Sequence, residues 1–480
     1  MQGLYATSAI LDSSIYSDNM PPDVRVPLRQ APRPPRSRRD IPTPSAQEKI
    51  LINALGPSIS NTSFVSRMES SLPPGHPIPS TLINQALGAE LAGNVVDCDF
   101  SVIDLIFPND RLPFKIDDDL LKKMSTSHDS FPALWDKKQN RFCSVPREFT
   151  EDAISDWLNT LGGVMGKIFN RKVERVWWSG NRDTPPVGAH LQRKPDLVLL
   201  DRKYHGRLTA PPFGNTDWAF IRAFGEVTSG TQLRRVTESI NVKSYLMFLC
   251  QCNRRFVIAL SFVDVKKAKF ALTLSDREGQ IQLGTISLSS PGTRNGIAIL
   301  KVLAFLMFGS PSDIGLDPHF EMGPDGRAAA ITVDNRRFDV VDRIHALESL
   351  LGRGTQVWVV KENGSQFILK DSWVLVERVE SEVNFLQMMT SHGELKDRVP
   401  LFVCGGDIQI AGVQDCTNRC RGDQIGRPDC NRVHRRIVMS PVGENILSFR
   451  SKQEFIDVIM SIIRSMLNWL SLVFVLIVDP

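Results

Sequence analysis

The chain has 480 residues, which at roughly 150 residues per domain points to two or three domains. Apolar residues make up 42% and charged residues 23%, so a wholly disordered or fibrous protein is excluded. Lys plus Arg number 57 against 53 Asp plus Glu, a net charge of +4 that gives no argument for nucleic acid or an anionic membrane as partner. The eight cysteines are too sparse for a disulfide framework. With no basic, apolar signal sequence at the start, the expected compartment is intracellular, cytoplasm or nucleus.

Residues 1–80 read as a disordered Pro/Arg-rich arm. Eight prolines between Met20 and Ser45 block helix and sheet hydrogen bonding. Arg33, Arg36, Arg38 and Arg39 form a basic cluster there, open to reading as a nuclear localisation element or as a solvated charge run. Residues 81–175 read as a helical segment. Ile154, Trp157, Leu158, Leu161, Met165 and Ile168 recur at helical steps behind a Thr150 cap, with Gly162 and Gly163 weakening the middle.

Residues 176–345 read as an α/β accessory region. Leu197 to Leu200 and Trp218 to Val227 are strand candidates. RRFVIALSFVDV and KFALTLS read as antiparallel strands, a turn at Ser275 to Gly279 leads into IQLGTISL, and GIAILKVLAFLMF reads as a buried helix. No internal repeat is visible.

Residues 346–465 carry the most specific pattern. Gly352 and Gly354 form a loop whose backbone N–H groups can approach phosphate oxygens. QVWVV and QFILK then pair through an Asn363-Gly364 hairpin turn, and the second strand ends on Lys370. Glu382 follows at the head of a helix pattern, placed to pair with that lysine, with Glu377 and Glu380 as competitors. Strand, glycine loop, strand, lysine, helix and glutamate are the parts of a protein-kinase N-lobe in order.

In this order, LLGRGTQVWVV, ILKDSW and SEVNFL resemble the fungal-type protein kinase family, a divergent branch of the eukaryotic protein-kinase fold. So do RKPDLVLL, the SDREG turn, IGLDPHF and VHRRIVMSPVGENIL, over about residues 175–465. The resemblance implies ATP and Mg2+ as cofactors and phosphorylation of protein Ser/Thr. It implies Gly352 and Gly354 as the nucleotide loop, with Val357 in place of a third glycine. Val359 would lie over the adenine, Lys370 on the α- and β-phosphates with Glu382 as its partner, and Met439 at the start of a hinge reaching Gly443.

After SKQEFIDVIMSIIRS, which reads as a helix, nothing resembles an H-R-D-type catalytic loop or a metal-binding D-F-G aspartate. The expectation is an α+β chain: a kinase-like N-lobe with an incomplete C-lobe, doubtful as a catalyst and open to reading as a pseudokinase. Its partner would be an unidentified protein. Residues 466–480 are an apolar tail that departs from the family pattern; a membrane anchor, a buried helix and a read-through exon boundary are all open.

Two rival constellations remain. Asp196 and Glu226 resemble the PD-(D/E)XK nuclease core, a restriction-endonuclease-like fold, but Thr228 stands where that core has lysine and Lys243 is the nearest substitute. A degenerate nucleic-acid domain is therefore an alternative. Cys416, Cys420, Cys430 and His434 are spaced as a possible zinc hook, while Cys250 and Cys252 read as buried thiols.

Overall fold

A computed structural model describes residues 80–478, apart from 128–131, 182–183, 211–213, 232, 378–380, 392–398, 423 and 445–447. The expected disordered arm with its basic cluster at Arg33 to Arg39, and Glu380, lie outside the described residues. The chain divides into two compact units, residues 62–442 and residues 1–61 with 443–480.

The larger unit holds two seven-stranded sheets. The first consists of β1 (Val95–Cys98), β2 (Arg175–Trp178), β3 (Leu197–Asp201), β4 (Ile221–Val227), β5 (Val257–Val263), β6 (Lys269–Asp276) and β7 (Gly279–Ser287), in the order β1-β7-β6-β5-β4-β3-β2. The pairs β1–β7 and β4–β5 are parallel and the others antiparallel. Its central strands are continuous apolar runs because both faces are covered. On one face, Leu199, Ile258 and Leu272 pack with helices α2 (Glu151–Ile168) and α4 (Thr293–Phe308). On the other, Val198, Val257 and Ala259 pack with α1 (Ser80–Leu91) and α3 (Leu233–Cys250).

Several expectations meet their local cause here. Thr150 caps α2, its hydroxyl accepting the Ala153 N–H at 3.2 Å. That helix runs unbroken through Gly162 and Gly163; a side chain at Gly162 would run into Met307 of α4, so the glycine lets two helices approach. The strand expected from Trp218 starts at Ile221, because Asp217 caps a short 3-10 turn over Trp218–Phe220. Residues 95–98 add a strand that helical spacing did not announce.

The second sheet is wholly antiparallel: β8 (Phe320–Met322), β9 (Ala328–Val333), β10 (Arg336–Ala346), β11 (Gln356–Glu362), β12 (Ser365–Leu375), β13 (Leu401–Asp407) and β14 (Arg432–Ser440), in the order β8-β9-β10-β11-β12-β14-β13. Asn363 and Gly364 both have positive φ, 49° and 87°, the two-residue turn that matches strand twist and pairs Glu362 with Ser365. Helix α5 (Glu382–Ser391) lies between β12 and β13 in sequence, its Leu386 buried and Val383 and Met389 packed beside it.

Of the smaller unit, the structure describes chiefly helix α6 (Lys452–Val478), which continues through the apolar tail. Ser451 opens it by accepting the Glu454 N–H at 3.1 Å. Among the described residues no helix is long and apolar enough to cross a membrane.

Candidate nucleotide-binding site

Strand pairing aligns one face of the second sheet. Val357 pairs with Lys370, Val359 with Ile368, Ile368 with Met439 and Lys370 with Ile437. Alternation puts all six side chains on one side of the sheet. Val357, Ile368, Ile437 and Met439 form a small buried apolar cluster with Leu386 of α5, and Val359, Phe402 and Val442 pack against it partly exposed. Lys370 is the cation among these six side chains. The loop joining β10 to β11 lies at the same end, its Gly352 and Gly354 at φ values of +88° and +48°.

Lys370 Nζ donates to Glu382 Oε1 at 2.6 Å. Of the three carboxylates within sequence reach, Glu382 is the one the structure puts on the lysine; Glu377 is exposed in the turn after β12. The lysine side chain is 10% exposed and the glutamate 27%, so the pair opens toward solvent on its glutamate side. Burial pushes the Lys370 ammonium below its ordinary pKa, Glu382 opposes this, and the nearby charge of Arg353 adds to it. A desolvated ammonium with one carboxylate partner beside a glycine loop is chemically suited to an anionic group.

The fit to magnesium is different. Among the described residues no group of three or more His, Cys, Asp or Glu is placed to hold a metal ion. The zinc hook does not assemble either, since both ring nitrogens of His434 are taken, Nε2 by Asp371 at 2.7 Å and Nδ1 by Asp415 at 3.0 Å. Cys420 is buried against Arg255, which donates to its sulfur at 3.6 Å, and burial pushes its thiol up to about 12. Cys250 is likewise pushed up by burial to about 12 and Cys252 to about 11, which leaves them unreactive thiols.

The nuclease-like residues do converge. Lys243 of α3 donates to Glu226 Oε1, Ser239 donates to Glu226 Oε2 at 2.7 Å, and the Val227 N–H donates to Asp196 Oδ2 at 2.7 Å. Both oxygens of Glu226 are therefore engaged within the protein. Burial raises both carboxyl pKa values, against the charge of Lys243.

The residues that sequence reasoning missed sit where the two sheets meet. Arg436 of β14 bonds Asp317 at 2.6 Å and Asp371 at 3.1 Å. Arg255 pairs with Asp415, and Arg421 with Asp276 at 2.6 Å and Glu278 at 3.1 Å. IGLDPHF and VHRRIV thus share one buried set of ion pairs, and SDREG forms a second with Arg421. A signal was present: His434 and Arg436 alternate on one face of a strand that also buries Val438. Two cations inside an apolar strand require acids from elsewhere.

No curated protein and no solved structure matches this chain. The fungal protein kinase family model matches residues 194–427, a span that runs from the strand bearing Asp196's hairpin through the glycine loop, Lys370 and Glu382. This match supports assigning residues 194–427 to the fungal-type protein kinase family.

Proposed function

We propose that the second sheet is a nucleotide-binding half-site, an N-lobe in which Lys370 holds the α- and β-phosphates of ATP. The Gly352–Gly354 loop would cover those phosphates, and Val359, Ile368 and Met439 would pack on the adenine. The observation that carries this reading is the Lys370–Glu382 pair on the face of the sheet that bears α5, at the end next to a glycine loop. Glu382 keeps the ammonium aimed along the strip and offsets its burial. Phosphoryl transfer to protein Ser/Thr is the activity the family suggests. Magnesium would reach this site with the nucleotide, since among the described residues no His, Cys, Asp or Glu cluster is placed to hold it.

The test is Mg-ATP binding to the full chain by calorimetry and by thermal shift. Saturation at one hundred times Kd should stabilise the protein by about 2.7 kcal/mol, and Lys370→Ala should abolish both signals. Binding that survives Lys370→Ala with unchanged affinity overturns the reading.

A second reading is favoured by the convergence of Asp196, Glu226 and Lys243: the first sheet and its helices as a degenerate nuclease-like accessory domain. Magnesium-dependent DNA cleavage that is lost on Asp196→Ala would support an active nuclease. The engagement of both Glu226 oxygens argues for a structural role instead.

A further inference from the structure

The turn between β6 and β7 is unusual for a charged hairpin tip. Asp276, Arg277 and Glu278 are all under 5% exposed. A buried charged turn requires partners: Asp276 and Glu278 pair with Arg421, and Arg277 reaches the loop between β10 and β11. Arg277 donates to the Ser349 carbonyl at 2.6 Å and its guanidinium lies over the Phe248 ring at 4.3 Å. Its own carbonyl accepts the Gly352 N–H at 2.9 Å. A Cβ added to Gly354 would stand 2.5 Å from the Arg277 guanidinium, so glycine is what permits this contact.

Glu90 of α1 adds a second hold, its carboxylate accepting the Leu351 N–H at 2.8 Å. The far side of the loop is tied to β12, the Trp373 N–H donating to the Arg353 carbonyl at 2.7 Å. Leu350 is wholly buried in the core of the first sheet. The direction of approach matters. Arg277 and Gly354 line a small polar cavity with Asp371, Trp373 and His434. Asp371 and Trp373 alternate with Lys370 along β12, so they point away from it. The hold is from the opposite side of the sheet to Lys370.

We infer that Arg277, seconded by Glu90, is a positioning residue for the nucleotide loop: the first sheet pre-organises the Gly352–Thr355 backbone for phosphate contact. The inference rests on the nucleotide reading for its consequence, but not for the clamp itself. An isolated glycine loop samples many conformations, and fixing it in the unliganded protein removes an ordering cost from binding.

Full-length wild type, Arg277→Ala, Arg277→Lys and Arg427→Ala would be compared by Mg-ATP calorimetry and by hydrogen exchange. Arg427 is the control: it bonds Gly93 and Asn94 at the same junction, away from the loop. Arg277→Ala should raise Kd by about tenfold and speed exchange at residues 352–355. Arg277→Lys, which keeps the charge but lacks the fork, should fall between, and Arg427→Ala should match wild type. Unchanged or tighter binding in Arg277→Ala overturns the inference, as does an equal loss in Arg427→Ala. If Arg277→Ala does not fold, wild-type values in Arg277→Lys overturn it. If wild type binds no ATP, the nucleotide reading fails alone; faster exchange confined to 352–355 in Arg277→Ala then upholds the clamp, and its absence overturns it.

Discussion

The two sheets each carry a lysine–glutamate pair, and their surroundings differ. The first sheet has helices on both faces, and Lys243 and Glu226 are 4% and 9% exposed. The second sheet carries one ten-residue helix on its Lys370 face, and Lys370 and Glu382 are 10% and 27% exposed. Glu226 is further bound by Ser239, whereas Glu382 stands at the first turn of its helix. The same two residue types thus serve in one place to neutralise each other in a sealed layer, and in the other to form a pair whose glutamate reaches solvent. Ion-pair chemistry does not separate these roles; access does. A ligand can compete only for a pair it can reach.

The largest effect that can break this contrast is loss of the sealed lysine. Lys243→Ala leaves Glu226 buried without its counter-charge, which should cost about 3–5 kcal/mol of stability in a urea melt. Lys370→Ala should cost visibly less, because Glu382 can turn to water. Equal costs would mean the two sites are closed alike, and the argument for ligand access at Lys370 would fail. Replacing Glu226 and Lys243 together by Gln and Met should recover most of the loss, since paired removal leaves no orphan charge.

The junction between the sheets extends the contrast to a buried histidine held between two aspartates. Burial pushes the His434 imidazolium down, but Asp371 and Asp415 on its two nitrogens override this and hold it up at about 9. A histidine whose folded pKa lies above its ordinary value of about 6.5 binds its proton more tightly when folded. Its contribution is fully present below pH 6.5 and disappears as pH rises through 9, a loss on the order of 1–3 kcal/mol. The aspartates act in the opposite sense. Burial alone would raise Asp371 and Asp415, yet Arg436 and Arg255 bring them below the usual carboxylate range. Their contribution is present above about pH 3.8 and is lost on acidification. Urea midpoints should therefore fall on both sides of a neutral plateau. A midpoint that does not fall between pH 6.5 and 9.5 would show that His434 is not held charged.

Local pattern carried much of this structure. Alternation in QVWVV and QFILK, the Asn363-Gly364 turn and the spacing of Lys370 from Glu382 are written within thirty residues, so the Lys370 strip was legible. The junction was not, because its partners lie far apart in the chain: Glu90 meets Leu351 across 261 positions and Arg421 meets Asp276 across 145. Nothing local distinguishes a buried Arg277 from a solvated one in a turn. The zinc reading failed for a related reason. Spacing makes Cys416, Cys420, Cys430 and His434 look like one group, while packing assigns His434 to two aspartates.

Gly162 shows the same limit at the smallest scale, and it separates propensity from packing in the doubly covered sheet. As sequence, a glycine mid-helix is a weak point worth about 1 kcal/mol relative to alanine. In the fold it faces Met307 of α4, whose Sδ and Cε would meet an added methyl. The obstacle is the far end of a flexible, unbranched side chain, so Met307 can shift by one rotamer. Gly162→Ala should therefore change stability by less than about 1 kcal/mol, the helix gain and the repacking cost nearly cancelling. A loss of several kcal/mol in the same urea melt would show that Met307 has nowhere to go, and that the layer between α2 and α4 is packed more rigidly than a methionine contact implies.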